Sequence, residues 1–157
     1  MQRRVYCKAM KIKIFFLSIT FFCILKGVYS KEYILEASAI SKLTTIKVSD
    51  DFRFSSYTSE GMWDDSFGDY GHEKCAGYVK QINKKVELEV ICENVNQNEE
   101  IFWNSRVRKS GKGGGIGKLT ILNGTGKYKN FVGLECPYGI NYKTKYAWLK
   151  AKCKIEN

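Results

Sequence analysis

The stretch from Cys75 to Cys92, CAGYVKQINKKVELEVIC, decides the fold. Folded back about a two-residue turn at Asn83-Lys84, it sets Cys75 opposite Cys92, Gly77 opposite Val90 and Val79 opposite Leu88 on one face. The other face then sets Lys80 opposite Glu87, a favourable cross-strand pair. A slip of one residue would turn Val86, Leu88 and Val90 to the wrong side, so the register has no easy alternative. Residues 136–153 behave in the same way about Thr144-Lys145. There Cys136, Tyr138, Ile140 and Tyr142 share a face with Ala147, Leu149, Ala151 and Cys153, while Lys143, Lys150 and Lys152 point outward. Four cysteines permit three connectivities. The two registers select Cys75–Cys92 and Cys136–Cys153, each pair 17 residues apart and each clasping the open end of a hairpin. By the loop-entropy argument such a bridge contributes roughly 3 kcal/mol. A zinc or redox role would call for C-x-x-C, which does not occur, so the cysteines read as structural.

Outward from these hairpins the alternation continues. Apolar and polar residues alternate in short runs over Tyr33 to Ile40, Leu43 to Val48, Phe52 to Trp63 and Cys75 to Ile82. The pattern goes on through Lys85 to Cys92, Glu100 to Val107, Ile116 to Leu122, Phe131 to Tyr142 and Tyr146 to Ile155. The runs are rich in Ile, Val, Thr, Tyr, Phe and Trp and are broken by Gly, Asn, Asp and Ser, as strands are. No convincing helical period occurs after Ser30. The expected fold is all-β, an antiparallel barrel of about eight strands with two hairpin disulfides, because closure removes the exposed edges that would aggregate. A barrel of that size either fills with side chains or leaves room for one small ligand.

Residues 1–30 read as an address. Arg3, Arg4, Lys8, Lys11 and Lys13 precede an uncharged run, Ile14 to Leu25, of signal-peptide length and too short to span a bilayer. Val28-Tyr29-Ser30 offers a cleavage site after Ser30, and Met10 is a second candidate start. The expectation is an exported protein, periplasmic or secreted, with a signal peptide over 1–30, one domain over 31–157, and no membrane span in the mature chain. Phe21-Phe22 ahead of Cys23 are too bulky for a lipidation site.

Six of the 26 Lys+Arg lie in that leader, so the +10 net charge overstates the domain, which carries 20 against 16 Asp+Glu. Within it, residues 31–100 hold 8 basic and 14 acidic side chains and residues 101–157 hold 12 and 2, which suggests acidic and basic strands on opposite walls. A length of 157 residues excludes a barrel of eight strands and eight helices, which needs about 250. A single His excludes sites built on two imidazoles, including most catalytic zinc centres.

Arg106 to Lys118, RVRKSGKGGGIGK, fails as a phosphate loop, since position 112 is Lys and position 119 is Leu. What survives is a basic hairpin tip, Arg106, Arg108, Lys109 and Lys112, able to touch polyanions. Glu60 to Cys75 gathers Asp64, Asp65, Asp69, His72 and Glu73, but not at the spacing of a calcium loop. Asn123-Gly124-Thr125 is a glycosylation acceptor if the host uses one, and otherwise a turn.

Lys118 to Gly133, KLTILNGTGKYKNFVG, resembles the strand–turn–strand motif G-G-T-G-K-[FY]-x-x-[AI]-x-G of dirigent proteins and allene oxide cyclases. It also resembles small exported bacterial proteins with a GGTGKYxGIxG segment and paired Cys, mostly of unknown function. The resemblance implies an eight-stranded antiparallel barrel. Asn123 stands in place of the first Gly and Phe131 in place of the small or aliphatic residue. The motif shapes a turn, and no catalytic residue carries over with it. The leading expectation is therefore a binding barrel without catalysis, taking an apolar or amphipathic small molecule or a cell-surface component. Strand parity nominates Val79, Leu88, Trp103, Tyr138, Ile140 and Tyr142 as cavity residues. An isomerase of the cyclase or dirigent type and a polyanion-binding surface protein are the alternatives. No catalytic residue, metal, cofactor or specific nucleic-acid partner is expected.

Overall fold

The computed structural model describes residues 31–111 and 113–155, so the proposed leader and Lys112 lie outside the described residues. Eight antiparallel strands close into a barrel in chain order: β1 Lys31–Lys47, β2 Phe52–Asp65, β3 Tyr70–Ile82, β4 Lys85–Asn96, β5 Ile101–Ser110, β6 Gly114–Gly124, β7 Glu135–Lys143 and β8 Tyr146–Ile155. β1 closes the ring against β8, from Lys31 opposite Ile155 to Ile40 opposite Tyr146. Alternation drives this: β8 buries Ala147, Leu149, Ala151 and Cys153 and exposes the residues between them. Two runs separated in the sequence reading, Tyr33 to Ile40 and Leu43 to Val48, form one 17-residue strand, whose far end outruns β8 and pairs with β2 alone.

The β3–β4 register is the expected one, with Cys75 opposite Cys92, Val79 opposite Leu88 and Lys80 opposite Glu87. Both disulfides form as expected, Cys75–Cys92 and Cys136–Cys153, and both lie inside the barrel. The turn residues Asn83 and Thr144 adopt left-handed backbone, as tight two-residue hairpins demand.

The two ends of the barrel differ. At the end holding the 65–70, 96–101 and 124–135 connections, a 3-10 helix, Gly126–Phe131, folds back as a plug. It lies where the sequence suggested the start of a strand at Phe131; β7 begins only at Glu135. A one-residue bulge in β6, opposite Trp103/Asn104, lets Ile121 and Gly124 both turn inward. Gly124 is required there, because a Cβ would come within 2.7 Å of the Tyr128 backbone and side chain. Tyr128 thus seats against Phe102 (ring centroids 4.8 Å apart) and Trp63, with Tyr33, Phe67 and Phe131 completing an aromatic stopper. At the opposite end the fully described connections are short, residues 48–51, 83–84 and 144–145.

Candidate functional site

The open end holds a cavity of about 240 Å³, lined by Tyr57, Val79, Val86, Leu88, Arg108 and Tyr142 with Leu43 at its lip. Strand order builds it. Val79 on β3 faces Leu88 on β4, and Leu88 is the register partner of Arg108 on β5. Three of the residues nominated from strand parity therefore meet here: Val79, Leu88 and Tyr142. Tyr138 and Ile140 lie deeper, packed with the core around Leu35, Leu119 and Leu149. Tyr138 is accommodated because its β6 partner is Gly117, where a Cβ would sit 2.5 Å from the phenol ring.

Trp103 is not in the cavity. β5 turns Phe102, Asn104, Arg106 and Arg108 inward and leaves Trp103 outside, where its indole N–H donates to Glu93 (3.0 Å). The same parity corrects the polyanion tip: Arg106 and Arg108 are 5% and 4% exposed and point into the barrel. Lys109 remains on the surface, paired with Glu87 at 3.2 Å.

Beneath the cavity lies a buried polar cluster that sequence reasoning did not assemble. Arg106 Nη2 and Nη1 donate to the two Glu73 carboxylate oxygens (2.6 and 3.3 Å), and Arg106 Nε donates to Asn104 Oδ1 (2.9 Å). Asn104 Nδ2 donates to Asn94 Oδ1 (2.7 Å), and Asn94 Nδ2 donates to Glu73 Oε2 (3.1 Å), closing a ring of four side chains. Burial alone would lower the Arg106 pKa, but the Glu73 carboxylate more than offsets it, and the guanidinium is held firmly charged. The cluster is a satisfied structural ion pair, the condition under which such a pair is tolerated in a core.

The acidic run from Asp64 to Glu73 does not converge on a cation. Asp64 and His72 face outward, Glu73 goes to Arg106, and Asp69 serves the plug. Asp69 accepts from the Tyr128 hydroxyl (2.5 Å), from Gln97 Nε2 (3.0 Å) and from Lys127. Burial would raise its pKa, yet these donors outweigh burial and hold the carboxyl below its usual range. The proximity of Glu73 to the Cys75 and Cys92 sulfurs offers no metal site, since the two sulfurs are bonded to each other. No helix among the described residues is long and apolar enough to cross a membrane.

No protein-family model matches the chain, and no curated protein does. Among solved structures the barrel is similar to a conserved protein of unknown function from Rhodopseudomonas palustris, at 9% identity and a TM-score of 0.61, covering 80% of this chain and 98% of that one. That likeness concerns the fold.

Proposed function

We propose that this chain is an exported barrel that binds a small apolar or amphipathic molecule in its open mouth. One observation carries the reading: a cavity of about 240 Å³ with aliphatic and aromatic walls at one end of a barrel whose other end is stoppered. At about 30 Å³ per water, that volume equals roughly eight waters, the scale of a compact ligand. Such pockets, mostly apolar with a few placed polar groups, are the usual form of small-molecule sites in barrel mouths. Two disulfides and the composition of residues 1–30 support export. The cyclase and dirigent alternative rests on a turn motif, by which no active-site residue can be placed on this chain. The polyanion alternative is weakened by the withdrawal of Arg106 and Arg108 from the surface.

Titration of the oxidised protein with the neutral, environment-sensitive dye N-phenyl-1-naphthylamine tests this. Saturable one-to-one binding is expected, reduced at least tenfold by Val79→Trp, which fills the mouth without touching the polar cluster. Absence of saturable binding, or binding indifferent to Val79→Trp, sinks the proposal.

A further inference from the structure

Two inward arginines follow one another on β5, and their circumstances differ. Arg106 uses all three guanidinium nitrogens and has a carboxylate. Arg108, equally buried, takes part in no ion pair among the described residues. Its Nη1 donates to Ser110 Oγ (2.6 Å) and to the Gly114 carbonyl (2.6 Å), which fixes the head. Its Nε is buried and has no acceptor among the described residues. The guanidinium carbon lies 5.5 Å from the centroid of the Tyr142 ring, itself a wall of the mouth. Gly115 leaves room for Ser110, which holds this head, since a Cβ there would lie 2.9 Å from the Ser110 Cβ. The glycine-rich run that fails as a phosphate loop thus makes room for the serine that fixes this cation at the cavity.

A desolvated cation with an unused donor is an unfinished pair, because a buried charge is normally matched. The edge of Arg108 formed by Nε and Nη2, which makes no hydrogen bond to a described residue, has the fork spacing that receives two carboxylate oxygens side by side. Around the same end, Lys47, Lys84, Lys85, Lys143 and Lys145 are exposed against Asp50 and Asp51, and among the described residues only Lys47 of these lysines is in an ion pair, with Asp50. A basic rim raises the local concentration of anions. We propose that the mouth selects an amphipathic monocarboxylate, whose carboxylate docks on the free edge of Arg108 and whose apolar body lies against Val79, Val86 and Leu88. This rests on the mouth being a binding site, as proposed above, and adds the charge class of the ligand.

The test uses matched competitors that differ only in the head group, hexanoate against hexanamide and benzoate against benzamide, displacing the neutral dye at constant ionic strength. The carboxylates are expected to compete at least tenfold better than the amides in the wild-type protein. Arg108→Gln should abolish that preference, read as the carboxylate-to-amide ratio within each protein so that any change in dye affinity cancels, and Arg108→Lys, which keeps a charge but loses the fork, should retain only part of it. Dye binding without a carboxylate preference overturns this inference and leaves the mouth reading standing; no dye binding removes both. Should Arg108→Gln fail to fold, the wild-type comparison and Arg108→Lys decide. A carboxylate preference unchanged in Arg108→Lys overturns it. Displacement by a heparin fragment that matches hexanoate, and persists in the Arg108→Gln protein, would place binding on the rim lysines and overturn it too.

Discussion

At the scale of single residues, the interior is governed by one satisfied charge pair. Glu73 and Arg106 are both nearly inaccessible, and each has its remaining polar atoms taken by Asn94 and Asn104. Truncating one partner strands the other, so Arg106→Met should cost about 3–5 kcal/mol in urea unfolding. The double variant Glu73→Leu with Arg106→Met, which removes both charges, should recover most of that loss. This cluster was not legible in the sequence, for a physical reason. Its members lie on three strands, and nothing local to Arg106 announces Glu73, which is 33 positions away. The misplacement of Trp103 has the same root. On β5 the outward set of Ile101, Trp103, Ser105 and Val107 looks more apolar than the inward set, because the inward set includes the polar cluster.

At the scale of elements, the β3–β4 hairpin was readable because alternation, turn chemistry and cysteine spacing all gave one register. The 3-10 plug was not. Its sequence continues an apparently strand-like run, and what folds it back is distant in sequence: Thr125 bonds to Ile101, and Tyr128 and Lys127 reach Asp69 while Gly124 leaves room for Tyr128. The plug is held to the barrel through Asp69, whose folded pKa is depressed. A depressed carboxylate contributes stability that is full above its unfolded value and is lost as pH falls through its folded value. Asp69→Asn should therefore lower stability at pH 7 by about 1–3 kcal/mol. Its pH dependence should also be flatter on the acid side, and acid unfolding of both proteins followed by tryptophan fluorescence checks this. Asp65 next to the plug behaves oppositely, since burial raises its pKa and its charged form costs stability as pH rises. Its effect partly offsets that of Asp69 in the wild-type curve.

At the scale of the molecule, the uneven charge along the chain gives the ring an acidic and a basic wall and also pairs them where they meet. Of the seven ion pairs among the described residues, five join the acidic first half to the basic second half. Lys109–Glu87 bridges β4 and β5, and Lys150–Glu36 and Lys152–Glu32 bridge β8 and β1, the two seams where the halves meet. The acidic β1–β4 and the basic β5–β8 form opposite walls of the ring, as expected from the sequence, and closure makes those walls meet at these two seams. These pairs are half exposed and individually weak. Glu36→Lys should cost under about 1 kcal/mol, and adding Lys150→Glu should restore it, with the coupling gone in 1 M salt. The disulfides have a consequence of another kind, for the order of assembly. Each bridge lies within one hairpin, between cysteines 17 residues apart, whereas the β1–β8 seam joins residues more than a hundred apart. Local contacts form early and distant ones late. Each bridge is therefore expected to form within its hairpin before the ring seals, so that native pairing needs no reshuffling and the closure of β1 on β8 comes last.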